Sequence, residues 1–309
     1  MTGTTAFRKS LADASSNPKL VILLYLCGLL LAFPVAFLAH SIITMAFGNS
    51  MAADALLPGF NYTVVHDVLS HHGEAFRTII RLCLPLVLLG VFANIFLAGG
   101  ILSLLVRDHI LALGTFFGSC GAYFGRFLRL WLVFAAIGIA TFALLNIPLA
   151  FVSSALSNNT ESEQVIIIGT IAAAALIFSP MMFVFLAADY ARVFIVVHEA
   201  RSVWTAAGRG FSFVLNNFWA VFMLHILLLL TLGLATAAYL LLEGNVGMTS
   251  FSTIVAVFLL QQLFIVIRFW NRVTFFAGEV ILYTGRRPKP IVFYGWDDSP
   301  RPEDQLTVF

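Results

Sequence analysis

Charge is what this chain has least of. Seventeen Lys and Arg and fifteen Asp and Glu make up 10% of 309 residues, while 61% are apolar; soluble domains carry about 25% charged residues. A soluble enzyme is excluded, because so little polar surface cannot keep a globule of this size in water. Cysteine is also scarce. Cys27, Cys83 and Cys120 stand far apart in apolar stretches and make no disulfide framework. A net charge of +2 gives no basic surface for nucleic acid, and no nucleic-acid partner is expected.

Long uncharged runs are what the sequence has in abundance. A hydrocarbon core of about 30 Å takes around 20 apolar residues per helical crossing. Six stretches meet that need: 20–45, 82–106, 130–156, 164–188, 218–242 and 244–267 are each free of Asp, Glu, Lys and Arg. None alternates at period two as a barrel strand would. The expected fold is therefore all-α: a polytopic membrane protein with six transmembrane helices over 20–285. A cytoplasmic segment precedes it at 1–19 and a cytoplasmic arm follows it at 286–309. Asn17-Pro18 reads as the start of the first crossing, whose run is too long for a signal-peptide core.

Basic residues are retained on the cytoplasmic side of a membrane. With the N-terminus inside, 15 of the 17 Lys and Arg fall on the inner flank, and only Arg77 and Arg81 fall outside. Both termini are thus expected in the cytoplasm of a bacterial inner membrane.

Two inner connections read as amphipathic surface helices. The first carries Gly114, Gly118, Gly121 and Gly125 along one face, a stripe that invites close helix packing, with Arg126 and Arg129 beside it. The second contains Arg209 and, 87 residues on, matches Gly121 with Gly208, Phe124 with Phe211 and Leu128 with Leu215. Residues 82–156 and 164–242 then read as a duplicated unit, both copies in one orientation. These helices and their arginines are candidates for lipid contact or helix packing.

Ionisable groups in or beside a bilayer are costly and are the first place to look for function. Asp189, Arg192 and Glu199 share a helix face at the inner end of the fourth crossing, and Arg268, Arg272 and Glu279 repeat that arrangement on the sixth. They form a candidate ion network or headgroup site. His40 and His225 read as packing histidines, and Asn94, Asn146, Gln261 and Gln262 as amides bonding between helices. His66, Asp67, His71, His72 and Glu74 make a loose metal-like cluster outside, read as a solvated face. No HExxH, P-loop, GxGxxG or GxSxG pattern occurs. No enzyme activity, catalytic residue, cofactor or bound metal is expected.

The block 114–131, with Ala188-Asp189-Tyr190-Ala191-Arg192 and the stretch 202–211, resembles bacterial multi-pass proteins of unknown function that are similar to the membrane domain of some glycerophosphodiester phosphodiesterases. The resemblance covers about 80–285 and implies a six-helix bundle with inner surface helices. In that family the hydrolase is a separate soluble barrel, which this chain lacks, so no catalytic role carries over. The expectation is a scaffold or accessory subunit that binds membrane lipids, and a protein partner through the surface helices and C-terminal arm. The alternative is a small transporter or lipid-translocating protein.

The orientation is open to direct measurement. An impermeant thiol reagent applied to intact spheroplasts is expected to label a cysteine placed at Ser157 and to spare one at Thr4 until the membrane is permeabilised. Labelling in the opposite order overturns it.

Overall fold

Several helices begin where the sequence supplies a cap or a proline: Thr2, Pro18, Ser202 and Ser250. In the computed structural model, which describes residues 1–48, 62–63, 66, 70, 73–107, 111–159, 163–246 and 250–286, the main elements are helices throughout. They are α1 (Gly3–Ser16), α2 (Pro18–Phe47), α3 (Gly73–Arg107), α4 (Leu113–Asn159), α5 (Glu163–His198), α6 (Val203–Asn216), α7 (Phe218–Gly244) and α8 (Phe251–Arg286). No strand occurs among the described residues. Six of these helices, α2, α3, α4, α5, α7 and α8, are long and apolar enough to cross a membrane, in agreement with the six expected crossings.

Thr2 caps α1 in a reciprocal box with Thr5, and Ser202 caps α6 by accepting from the Thr205 amide at 3.4 Å. Both short helices end on an asparagine whose side chain satisfies a last-turn carbonyl: Asn17 Nδ2 donates to Asp13 O at 3.0 Å and Asn217 Nδ2 to Phe213 O at 3.1 Å. The chain turns there and enters a long helix. The two helix pairs α1–α2 and α6–α7 are offset by 200 residues, and their buried positions coincide at Ala6 and Ala206, Ser10 and Gly210, Ala14 and Val214, Val21 and Val221, and Leu24 and Leu224.

The first expected surface helix takes a different form. Residues 126–129 are Arg-Phe-Leu-Arg, with no asparagine or proline to stop the turn, so surface helix and crossing fuse into α4, 47 residues long. At 1.5 Å per residue that is about 70 Å, more than twice the hydrocarbon thickness. A third short helix, α1, lies where the sequence reading placed a plain N-terminal segment. The sixth crossing likewise continues as helix to Arg286.

Three similar packings result. α6 lies on α5, the first half of α4 on α3, and α1 on α8; the last joins the first helix to the final turn of α8, with Arg286 Nε donating to Met1 O at 2.6 Å. Close approach at these contacts depends on small residues, but not on the glycine stripe. Gly114, Gly118, Gly121 and Gly125 are exposed, and a Cβ at any of them would meet nothing within 4 Å. The crowded positions are others. A Cβ on Gly100 would lie 2.5 Å from Cys120 Sγ, one on Gly3 2.6 Å from Ala220 O, and one on Gly210 would run into Ala187 O and lie 2.9 Å from Ala191 Cβ.

Burial is concentrated at one end, the arginine-rich one. Among the described residues, the last buried one in α2 is Leu24, the first in α3 is Ile95, the first in α5 is Val184, and in α8 the buried run is Asn271 to Tyr283 apart from Val257. The largest fully buried side chains, Tyr190 and Phe127 among them, belong to this basic end. The opposite halves of the helices are lined with exposed Leu, Ile and Phe, the surface expected of helices whose solvent is hydrocarbon.

Two glycine substitutions are expected to act with opposite sign. Gly210→Ala forces α6 off α5 and should cost about 1–3 kcal/mol by overpacking. Gly118→Ala, in open space on a helix, should gain up to about 1 kcal/mol. Thermal unfolding of both proteins in the same detergent checks this, and equal shifts would contradict the assigned contacts.

Candidate functional site

At the basic end, α3, α5, α7 and α8 bring polar side chains together in an otherwise apolar interior. Asp189 and Arg192 stand three apart on α5 and form an ion pair, Arg192 Nη2 donating to Asp189 Oδ1. Arg272 on α8 donates to Asn94 Oδ1 on α3 at 2.7 Å. The guanidinium carbons of Arg192 and Arg272 each lie 5.8 Å from the centroid of the Phe276 ring, within cation–π range. Both arginines are half-buried, and Asn94 is exposed.

His225 and Glu279 meet deeper still, with side-chain exposures of 6% and 4%. His225 Nδ1 lies 2.9 Å from Val221 O. A carbonyl oxygen can only accept, so this contact places a proton on Nδ1, in the neutral ring and in the imidazolium alike. Nε2 faces Glu279 Oε1 at 3.7 Å. Neither Nε2 nor Glu279 Oε2 has a hydrogen-bond partner, and the same holds for the buried Tyr190 hydroxyl and Asn271 Oδ1. Buried polar atoms are nearly always partnered, and three of these four belong to residues that lie together, His225 beside Glu279 and its ring 6.3 Å from that of Tyr190. Ligand atoms of Asp189, His225 and Glu279 all lie within 4.8 Å of one another.

A cavity of about 570 Å³ reaches this cluster from the side, between α3, α4 and α5. Its walls are mainly apolar, with Phe127, Leu130, Phe134 and Val184 among them, and its polar end is Asn94, Asp189 and Arg192. Trp131, Ile139 and Phe185, exposed on the bundle surface, also line it. The residual exposure of Asp189 and Arg192, 22% and 28%, therefore opens into a largely greasy space.

The structure divides the expected ion network. Asp189, Arg192, Arg272 and Glu279 converge as described. Glu199 does not join them: it ends α5 in a left-handed conformation, φ 48°, where its carboxylate takes Arg107 Nη2 at 2.7 Å and its carbonyl takes Arg126 at 3.5 Å. That pair borders a second, more polar groove of about 450 Å³ containing Ser103, Thr115 and Ser119. Arg268 is exposed on α8. Of the surface-helix arginines, Arg126 stacks on Tyr123 at 5.5 Å, Arg129 bonds Gly125 O in its own helix, and Arg209 is exposed.

His225, read from sequence as a packing residue, stands at the centre of the cluster. No spacing along the chain relates it to Glu279, which is 54 residues later on another helix. Among the amides, Asn94 bonds between helices, as does Gln262, which accepts from Tyr25 at 2.8 Å. Asn146 instead bonds Phe142 O in its own helix. His40 is exposed on α2, and His66 is exposed with its ring 5.7 Å from Tyr62. Asp67, His71, His72 and residues 287–309 lie outside the described residues.

Compared with protein-family models, curated proteins and solved structures, the chain matches none.

Removing one member of the ion pair separates its parts. Arg192→Met leaves a half-buried carboxylate at Asp189 without its partner and is expected to cost about 1–3 kcal/mol, less than breaking a fully buried pair. The double variant Asp189→Asn with Arg192→Met should recover much of that loss. A thermal-melt double-mutant cycle measures it, and a double variant no better than the single one is the contrary result.

Proposed function

We propose that this protein is a non-catalytic component of the bacterial cytoplasmic membrane that holds a membrane lipid and serves as scaffold or accessory subunit to a partner. One observation carries the reading: an apolar cavity of about 570 Å³ opens on the bundle surface and ends on the Asp189–Arg192 pair and Asn94. Ligand sites of about 300–1,000 Å³ commonly combine apolar walls with a few fixed polar groups. An amphiphile fits both features, its chain against Phe127, Leu130 and Phe134 and its polar group at the paired charges. The arginines of the basic end, among them Arg126, Arg129 and Arg209, support a setting against anionic lipid. They also support cytoplasmic termini. The proline-rich, mixed-charge sequence after Arg286 supports a docking arm. The resemblance of about 80–285 to the membrane domains of phosphodiesterases agrees with a membrane module whose chemistry is done elsewhere.

A second reading, movement of lipid between leaflets, is favoured by the confinement of burial to the basic half of the bundle. The unburied halves of the helices would then flank a route for a headgroup leaving the Asp189–Arg192 pair.

Filling the cavity tests the main reading. A Cβ on Gly138 would meet only Met181 Cε, at 3.8 Å, so Gly138→Leu should fold and occupy the space. Native mass spectrometry of the purified protein is expected to show bound lipid in the wild type and in the control Gly233→Leu, and its loss in Gly138→Leu. Equal lipid in all three overturns the proposal. Flux of labelled lipid in proteoliposomes, abolished by Asp189→Asn, would instead favour translocation.

A further inference from the structure

The polar cluster contains a feature that lipid binding does not use. His225 is fixed by its Nδ1 bond to Val221 O, the orientation that metal-ligating histidines usually adopt when a backbone carbonyl holds the other ring nitrogen. Its free Nε2 points at a carboxylate oxygen 3.7 Å away. Two lone-pair atoms at that distance repel each other unless something positive lies between them. The remaining Glu279 oxygen is buried and without a hydrogen-bond partner, as is the Tyr190 hydroxyl, whose ring centroid is 6.3 Å from that of His225.

We propose that Asp189, His225 and Glu279 form a binding site for a divalent transition-metal ion of the zinc type, fixed between α5, α7 and α8. The donor set decides the class of ion. One imidazole nitrogen with two carboxylates suits zinc and its first-row neighbours, whereas magnesium and calcium take oxygen alone. Geometry agrees within a small side-chain adjustment. Bonds of about 2.0–2.2 Å place tetrahedral ligand atoms roughly 3.4 Å apart; the pair Nε2 and Oε1 stands at 3.7 Å and all three ligand atoms lie within 4.8 Å.

Asp189 and Glu279 bring two negative charges to a divalent ion, and Arg192, paired with Asp189, returns one positive charge to the site. Arg192, bonded to one Asp189 oxygen, holds that carboxylate from outside and leaves its second oxygen for the ion, while Arg192 and Arg272 both lean on Phe276. A proton shared by Nε2 and Glu279 is the competing occupant. It satisfies that contact but leaves the other Glu279 oxygen unpartnered, which a metal can bind together with the first.

The test uses the full chain, purified in detergent and stripped with a chelator, with cobalt(II) as a visible probe and elemental analysis for stoichiometry. One equivalent of cobalt with nitrogen and oxygen ligation is expected, displaced by zinc and accompanied by a rise in Tm. His225→Gln and Glu279→Gln should each weaken uptake by more than the roughly 10–100-fold that loss of an outer partner costs. A variant with His66, His71 and His72 all changed to Gln should bind as the wild type does. Wild-type uptake well below one equivalent overturns the site, and in that case a ring of His225 that titrates by NMR identifies the proton as occupant. Uptake unchanged in His225→Gln and Glu279→Gln overturns it too. The wild-type titration decides the matter even if the variants unfold, and it is read without lipid, so it stands apart from the cavity test.

Discussion

Backbones at the basic end approach so closely that single methyl groups do not fit between them. At Gly3, Gly100 and Gly210 an added Cβ would collide with a neighbouring helix, and at Gly278 it would lie 3.2 Å from Leu224. Dispersion is a short-range attraction, so helices gain it only where their backbones can approach closely. Small residues make that range reachable. The remaining architecture follows from where they stand: three short helical segments clamp three crossings at one end, and the opposite halves bury almost nothing.

Such packing has a consequence for polar groups. Glu279 follows Gly278, and Asp189 lies between Ala187 and Ala191, the two α5 residues nearest Gly210. The contacts that draw the helices together therefore also pull charged side chains out of reach of water. A buried charge is tolerated only when paired or bonded, and this explains why Arg192 joins Asp189 and Arg272 joins Asn94. His225 and Glu279 are less well satisfied: they face each other at 3.7 Å, and His225 Nε2 and Glu279 Oε2 are among the buried atoms without a hydrogen-bond partner in the described residues.

The cavity and the cluster are two sides of the same wall. Asp189 belongs to both, so an amphiphile bound in the cavity and an ion bound among Asp189, His225 and Glu279 would share one carboxylate. On the proposed readings the two ligands are linked, because either one changes the charge that the other meets.

Periodicity and length, which are local properties, settled the helical class and the six crossings. The Asp189–Arg192 spacing was also local, and so it was legible. The α1 helix was written in Thr2, Thr5 and the series Ala6, Ser10, Ala14, but short segments are easily read as loops when no long apolar run marks them. The glycine stripe misled for a physical reason: glycine spacing shows which residues share a face, not whether another helix lies against that face. Gly114 to Gly125 look outward, while the working contacts fall on Gly100, Gly210 and Gly278. The convergence of His225 with Glu279 and of Asn94 with Arg272 was decided by tertiary structure alone. Residues on separate helices are brought together by the rotation of each helix about its axis and its depth against its neighbours, and neither is encoded in any single stretch of chain.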